Sequence, residues 1–196
     1  MRLKVWVGVC VILVSSTAIA QEQRKMSHEG QMAMEAMMKA ATPGDAHKKL
    51  APMAGTFDVT VKMWPAPGAP ASESHGTAEN SWVLGGRWLQ QMFSGDFMGM
   101  PFSGIGYTGY DNIRKQYVST WMDNMSTSVM ISNGTGSNDS SYEFAASVDD
   151  PMSGKPATVK EKVTVLDGDH HMMETWGPAK DGKIYKMMEI DYSRKK

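Results

Sequence analysis

The chain has 196 residues, of which 41% are hydrophobic, and its 20 lysine and arginine residues nearly balance 21 aspartate and glutamate residues. This length suits a single domain, and the hydrophobic fraction argues against both a disordered chain and a membrane protein with several helical spans. The near-neutral charge argues against a nucleic-acid binder, because such proteins need a basic face.

The first twenty residues have the three parts of a secretory signal peptide. Arg2 and Lys4 begin it, the apolar run VWVGVCVILV follows, and small residues lead to Ala20. This order predicts export to the periplasm or beyond, with cleavage before Gln21. The alternative is an uncleaved anchor, but the apolar run is shorter than the roughly 20 residues that cross a bilayer.

The only cysteine, Cys10, lies inside this N-terminal segment. The exported chain would therefore contain no disulfide, no thiolate metal site and no cysteine nucleophile. We expect a large hydrophobic core to stabilise it instead.

Residues 21–44 form a polar, methionine-rich arm that we expect to be helical or loosely ordered. The arm contains His28 and the pair Met32-x-Met34. Thioether and imidazole groups without cysteine suit Cu(I), so these side chains are the candidates for a metal site. Methionine is equally a good helix former and an adaptable apolar residue, which leaves a purely structural interpretation open.

From Thr56 onward the hydrophobic period becomes two, the period of β-strands. TFDVTVKMW is the first of ten short alternating runs, and Asp45 is expected to cap a short helix before it. Turn residues separate the runs, for example Gly85-Gly86, Asn133-Gly134 and Asp167-Gly168. Short connections imply antiparallel neighbours. We therefore predict an all-β domain over residues 45–196, an antiparallel up-and-down β-barrel of about ten strands with no helix after residue 56; a two-sheet sandwich is the alternative.

Two of these runs have mixed faces that do not suit a dry core. The period of two places Arg87 with Gln91 on one face, and Tyr117, Trp121 and Asp123 on one face of another run. If both faces line the lumen, Arg87 and Asp123 would pair or orient the polar end of a ligand. The aromatic rings would supply stacking area, so these five residues are the main candidates for ligand binding.

The ninth run adds His170 and Glu174, which by the same alternation share a face. An imidazole near a carboxylate can bind a ligand group or a haem iron, although an ordinary surface histidine explains the pattern as well. No GxSxG or HExxH signature is present. The GxGxxG match over 104–109 lies in a strand pattern, where no helix N-terminus is available to bind a phosphate.

Four segments of the chain resemble a known family: HKKLAPMAGTFDV, SWVLGGRWLQQMFSG, GYDNIRKQYVSTWMDNMST and DDPMSGKP. The family is a group of small bacterial proteins known as domain of unknown function 1579, and the resemblance extends over about residues 46–194. It implies a calycin or lipocalin-type barrel. Related barrels begin their first strand with Gly-x-Trp, whereas this chain has Gly55-Thr56-Phe57. The resemblance implies no established activity.

Together these patterns favour an exported barrel that binds or carries a small, largely apolar molecule without catalysis. One alternative is a periplasmic Cu(I)-binding protein that uses the methionine-rich arm. The other is an enzyme that uses the barrel cavity. The sequence identifies no cofactor, and haem and Cu(I) are the two that remain open.

Overall fold

A computed structural model describes residues 27–138, 140–150 and 154–196. The chain divides after Ala36 into an N-terminal unit and a second unit that begins at Met37. The predicted signal peptide and its cleavage site lie outside the described residues. Within those ranges, no helix is both long enough and apolar enough to cross a membrane.

Short helices precede the sheet. They are α1 (His28–Ala41), α2 (Asp45–Lys48) and a 3₁₀ turn (Ala51–Met53). The helix α1 falls within the arm that we expected to be helical or loosely ordered. Asp45 does not cap α2 as predicted, because it is already the first helical residue. The cap position belongs to Gly44, whose N–H donates a hydrogen bond of 3.1 Å to Nδ1 of His47.

Ten antiparallel strands form one closed barrel in which each strand pairs with its sequence neighbours and β1 pairs with β10. The strands are β1 (Gly55–Met63), β2 (Ser72–Val83), β3 (Trp88–Phe97), β4 (Met100–Asp111), β5 (Gln116–Asp123), β6 (Met130–Asn138), β7 (Ser141–Asp149), β8 (Pro156–Val165), β9 (His170–Pro178) and β10 (Ile184–Arg194). The up-and-down barrel is confirmed, and the sandwich alternative is wrong. In the described part of the chain, every helix precedes β1.

The Asn133-Gly134 pair, which we predicted to be a turn, lies inside β6. Gly134 pairs with Tyr117 of β5 on one side and with Phe144 of β7 on the other. A Cβ at this position would lie 2.3 Å from the backbone oxygen of Glu143. The glycine therefore permits the close approach of two strands. Local sequence does not distinguish a glycine with this role from a glycine in a turn.

Residues 45–54, here called the plug, close one end of the barrel. Leu50 and Met53 are buried against Leu89, Tyr142 and other inward-facing side chains. Barrel side chains donate hydrogen bonds to plug carbonyls: Tyr117 Oη to Ala46 at 3.0 Å, Tyr142 Oη to Lys49 at 2.6 Å, Asn80 Nδ2 to Met53 at 2.7 Å, and Arg194 Nη1 to Ala54 at 2.7 Å. These bonds satisfy carbonyls that the short helices leave open.

Phe57 takes the place of the tryptophan found at the first strand of related barrels, and it is fully buried. The Arg194 guanidinium lies 4.6 Å from the centre of its ring. His171 meets the same ring edge to face at 4.7 Å. The aromatic packing role beside the plug is thus filled by phenylalanine.

Candidate functional site

The barrel encloses a cavity of about 450 Å³ whose wall is mainly apolar. Side chains such as Phe93, Phe102 and Ile190 form this wall. The cavity starts at Met53 of the plug and extends to Met125, a residue in the β5–β6 loop that is 49% exposed. The cavity therefore reaches the surface at the end of the barrel opposite the plug. Its volume lies in the range of small-molecule sites.

Three of the predicted site residues line this cavity: Gln91, Trp121 and Asp123. The Trp121 Nε1–H donates a hydrogen bond of 3.0 Å to Oδ2 of Asp123. The other carboxylate oxygen of Asp123 accepts the backbone N–H of Met125 at 3.0 Å. The Gln91 side chain is hydrogen-bonded to the Tyr192 hydroxyl. The polar groups chosen from the mixed faces of β3 and β5 are thus held in place by other wall residues.

The glycines of the GxGxxG match support Trp121. Both Gly104 and Gly106 lie in β4, and β5 places Trp121 opposite Gly106. A Cβ on Gly104 would lie 2.2 Å from Cζ2 of Trp121, and one on Gly106 would lie 3.0 Å from Cε3. The indole ring therefore rests against bare backbone. The motif provides room for an aromatic ring.

Arg87 lies elsewhere, and the predicted Arg87–Asp123 pair is wrong. Arg87 belongs to the exposed β2–β3 turn, where its Nη1 donates a hydrogen bond of 3.0 Å to the Leu84 carbonyl. It directly precedes the first residue of β3, so the alternation that governs Gln91 does not extend to it. Tyr117 points inward but only 3% of it is exposed, beneath the plug and away from the cavity wall.

His170 and Glu174 share a face of β9, as the alternation predicted, but this face is the outer one and does not line the cavity. His170 is exposed at the start of β9, and its Nδ1 lies 2.9 Å from an oxygen of Asp167. Glu174 forms an ion pair of 3.3 Å with Nζ of Lys186 on the outside of the barrel. The residues of β9 that line the cavity are instead His171, Met173 and Thr175.

Glu161 is a cavity residue that the sequence analysis missed. It is only 8% exposed, and its Oε2 accepts a hydrogen bond of 3.1 Å from Ser132 Oγ. Burial raises the pKa of this carboxyl group, against the opposing effect of the Ser132 bond. Glu161 stands between Lys160 and Lys162 in the sequence, a pattern typical of a solvated edge. Glu161 lies midway between Val159 and Val163 in the sequence, so the period of two indicates that it shares their inward face.

His171 and Tyr192 form a second polar group in the wall. Their rings stack at 4.2 Å with an angle of 10° between their planes. Burial, with a contribution from the Arg194 charge, lowers the pKa of His171 to about 4. Burial raises the pKa of Tyr192 to about 12, an effect that the nearby Glu161 charge reinforces. Both rings are therefore neutral near pH 7.

Two buried oxygen atoms in the cavity wall, Asn80 Oδ1 and Thr175 Oγ1, have no hydrogen-bond partner among the described residues. Asn80 is 8% exposed and Thr175 is 7% exposed. The amide nitrogen of Asn80 is already used by the plug, so only its oxygen remains available to the cavity. Buried polar atoms rarely stay unpaired, and such atoms in a cavity wall are suited to contact a ligand or water.

The predicted metal ligands lie on α1. His28 and Met32 are one helical turn apart, whereas residues two apart on a helix, such as Met32 and Met34, point in different directions. The Met32-x-Met34 pair is therefore not presented on one face. Across the described ranges, no group of three or more histidine, aspartate or glutamate side chains is placed to hold a metal ion.

A closed antiparallel barrel around an internal cavity defines the class of small, calycin-like barrels. Within this class, the family described as "Protein of unknown function (DUF1579)" matches residues 42–194, and the chain belongs to this family. No curated protein matches the chain.

Two solved structures share the fold. Rv2717c from M. tuberculosis superposes with a TM-score of 0.57 at 14% identity, covering 79% of this chain and 100% of that one. The S-type phycobiliprotein lyase CPES from Guillardia theta superposes with a TM-score of 0.54 at 10% identity, covering 79% and 99% respectively. At these identities the likeness extends to the fold alone.

Proposed function

We propose that this protein binds or carries a small, largely apolar molecule inside the barrel. The cavity carries the proposal: it has a volume of about 450 Å³, its wall is mainly apolar, and it reaches the surface at the end opposite the plug. Burial of apolar ligand surface there would contribute roughly 25 cal/mol per Å². The plug closes the other end through side-chain bonds to its backbone, so the site exists before any ligand arrives.

The likeness to the Guillardia theta phycobiliprotein lyase is compatible with this proposal. It concerns the fold, since the identity is only 10%. The choice of a binding function therefore rests on the cavity of this chain and its wall.

A contact quencher tests the proposal directly. 10-Bromodecan-1-ol combines an apolar chain with a bromine atom that quenches tryptophan fluorescence at short range. Trp121 lies in the cavity wall, so saturable quenching is expected, and Trp121→Phe should remove most of it. Trp176→Phe is the matched control, because Trp176 lies on β9 and outside the wall.

The outcome that contradicts the proposal is equally specific. If the alcohol causes no saturable quenching, the cavity does not accept an apolar chain. If Trp121→Phe and Trp176→Phe reduce the quenching equally, the alcohol binds the outer surface. Circular dichroism of both variants should show the strand signal of the unchanged protein.

We place this function outside the cytoplasm on the signal-peptide pattern of the first twenty residues. N-terminal sequencing of the protein from its own cell should find Gln21 first. Recovery of a chain that begins at Met1 would contradict export by cleavage.

A further inference from the structure

The cavity wall is charged with one sign only. Its ionisable carboxyl groups are Glu161, Asp96 and Asp123, and no lysine or arginine of the described chain lines it. Two titratable rings of the wall, those of His171 and Tyr192, are neutral near pH 7 because their pKa values are about 4 and about 12. A cationic ligand would enter a field of favourable sign, and an anionic ligand would be repelled.

Glu161 is the buried member of this set. In the described residues its carboxyl group has one hydrogen bond, from Ser132, and no ion pair with a lysine or arginine. Burying a carboxylate is costly unless a counter-charge and hydrogen bonds compensate for lost hydration. A ligand that brings a positive charge to Glu161 would supply that compensation, which an apolar ligand does not.

The unpaired oxygen atoms of the wall also favour a ligand that donates hydrogen bonds. Thr175 is directly opposite Glu161 on the neighbouring strand, and its Oγ1 has no hydrogen-bond partner in the part of the chain that the structure describes. Asn80 Oδ1 is a second unpaired acceptor, since its amide nitrogen is used by Met53. A hydroxyl can accept as well as donate, while an amide oxygen only accepts. Both atoms are thus suited to a ligand that carries N–H groups.

We propose that the cavity selects apolar molecules that carry a protonated amine, with the ammonium group bound at Glu161. The inference rests on the proposed function, because it assigns a head group to the same ligand. The apolar wall holds the body of the ligand, and Thr175 offers a further oxygen beside the carboxylate.

Three probes with the same alkyl chain test this selection: decylamine, decan-1-ol and decanoate, compared by isothermal titration calorimetry near pH 7. Hydrogen bonds to charged groups are stronger than neutral ones, so decylamine should bind about tenfold to a hundredfold more tightly than decan-1-ol. Decanoate should bind most weakly, because it brings a further negative charge to a wall that already carries three carboxyl groups.

Glu161→Gln keeps the shape of the side chain and an oxygen that can accept from Ser132. This variant should bring the affinity for decylamine to the level of that for decan-1-ol, so that the preference for the amine is lost. Glu143→Gln is the control, since Glu143 is exposed on the adjacent strand β7. It should keep the full preference for the amine.

Equal binding of the three probes, or an amine preference that survives Glu161→Gln, overturns the inference. In either case, saturable binding of decan-1-ol would still support the proposed function. If no probe binds, both proposals fail. The comparison of the three probes on the unchanged protein does not depend on the folding of any variant.

Discussion

The pH dependence of stability tests whether His171 is buried in the folded barrel. Its pKa falls from 6.5 to about 4 on folding, because burial and the Arg194 charge both disfavour the protonated ring. The unfolded chain therefore binds more protons between these two pH values. The stability that the neutral, buried His171 ring contributes is fully present above pH 6.5 and is lost as the pH falls towards 4. At about 1.4 kcal/mol per unit, the shift corresponds to about 3 kcal/mol.

Glu161 changes stability in the opposite direction over part of this range. Its pKa is raised above 4.5 by burial, so its contribution is present below pH 4.5 and is lost as the pH rises through the folded value. The pH profile of the unchanged protein is therefore a sum of both effects. Comparison with His171→Gln isolates the histidine, because Glu161 is present in both proteins.

The assay is urea unfolding followed by circular dichroism, at about pH 7.5 and about pH 4.5. The unchanged protein should lose up to about 3 kcal/mol more than His171→Gln between these conditions. His75→Gln removes an imidazole whose side chain is 70% exposed, and it should follow the unchanged protein. If His171→Gln and the unchanged protein lose the same stability, His171 protonates freely and does not face the interior.

Two further substitutions test the packing of the barrel and its plug. Gly134→Ala should cost at least about 2 kcal/mol in urea unfolding, since its Cβ would lie 2.3 Å from the Glu143 backbone oxygen. A Cβ at Gly168 would have no atom within 4 Å, so Gly168→Ala should change the free energy of unfolding by less than about 0.5 kcal/mol. Equal effects of the two substitutions would contradict the placement of Gly134 inside a strand. Tyr142→Phe removes the bond of 2.6 Å to the Lys49 carbonyl and should cost about 1 to 3 kcal/mol. Hydrogen exchange should accelerate in the plug of that variant, and unchanged exchange there would show that this bond does not hold it.

The barrel was predictable because its signals are local. Alternation in β1 is unambiguous, with Phe57, Val59 and Val61 on one face, and turn residues such as Gly85-Gly86 end the strands nearby. Ten such runs with short connections leave few arrangements other than a meander. The resemblance to the family pointed to the same architecture.

The inward face of β9 was not predictable in the same way. HHMMETW has polar and apolar residues on both faces, so composition does not choose between them. The choice follows from pairing, in which Val61 faces Ile190 and Ile190 faces Met173. A register shift between Lys186 and Met188 interrupts the count along β10. A sequence does not show where such a bulge falls. The inward face of β9 therefore cannot be deduced by counting residues from the inward face of β1.

The open interior follows from strand number and from where small residues lie. Eight strands enclose a space that side chains just fill, so ten strands leave more room than ordinary side chains occupy. Trp121, the largest side chain of β5, would still reduce that room if its ring pointed to the centre. Gly104 and Gly106 let the ring lie against the backbone of β4, and its bond to Asp123 holds it at the wall. The ring then adds apolar surface while the centre stays free. The glycines that imitate a nucleotide motif in the sequence therefore help to keep the cavity open.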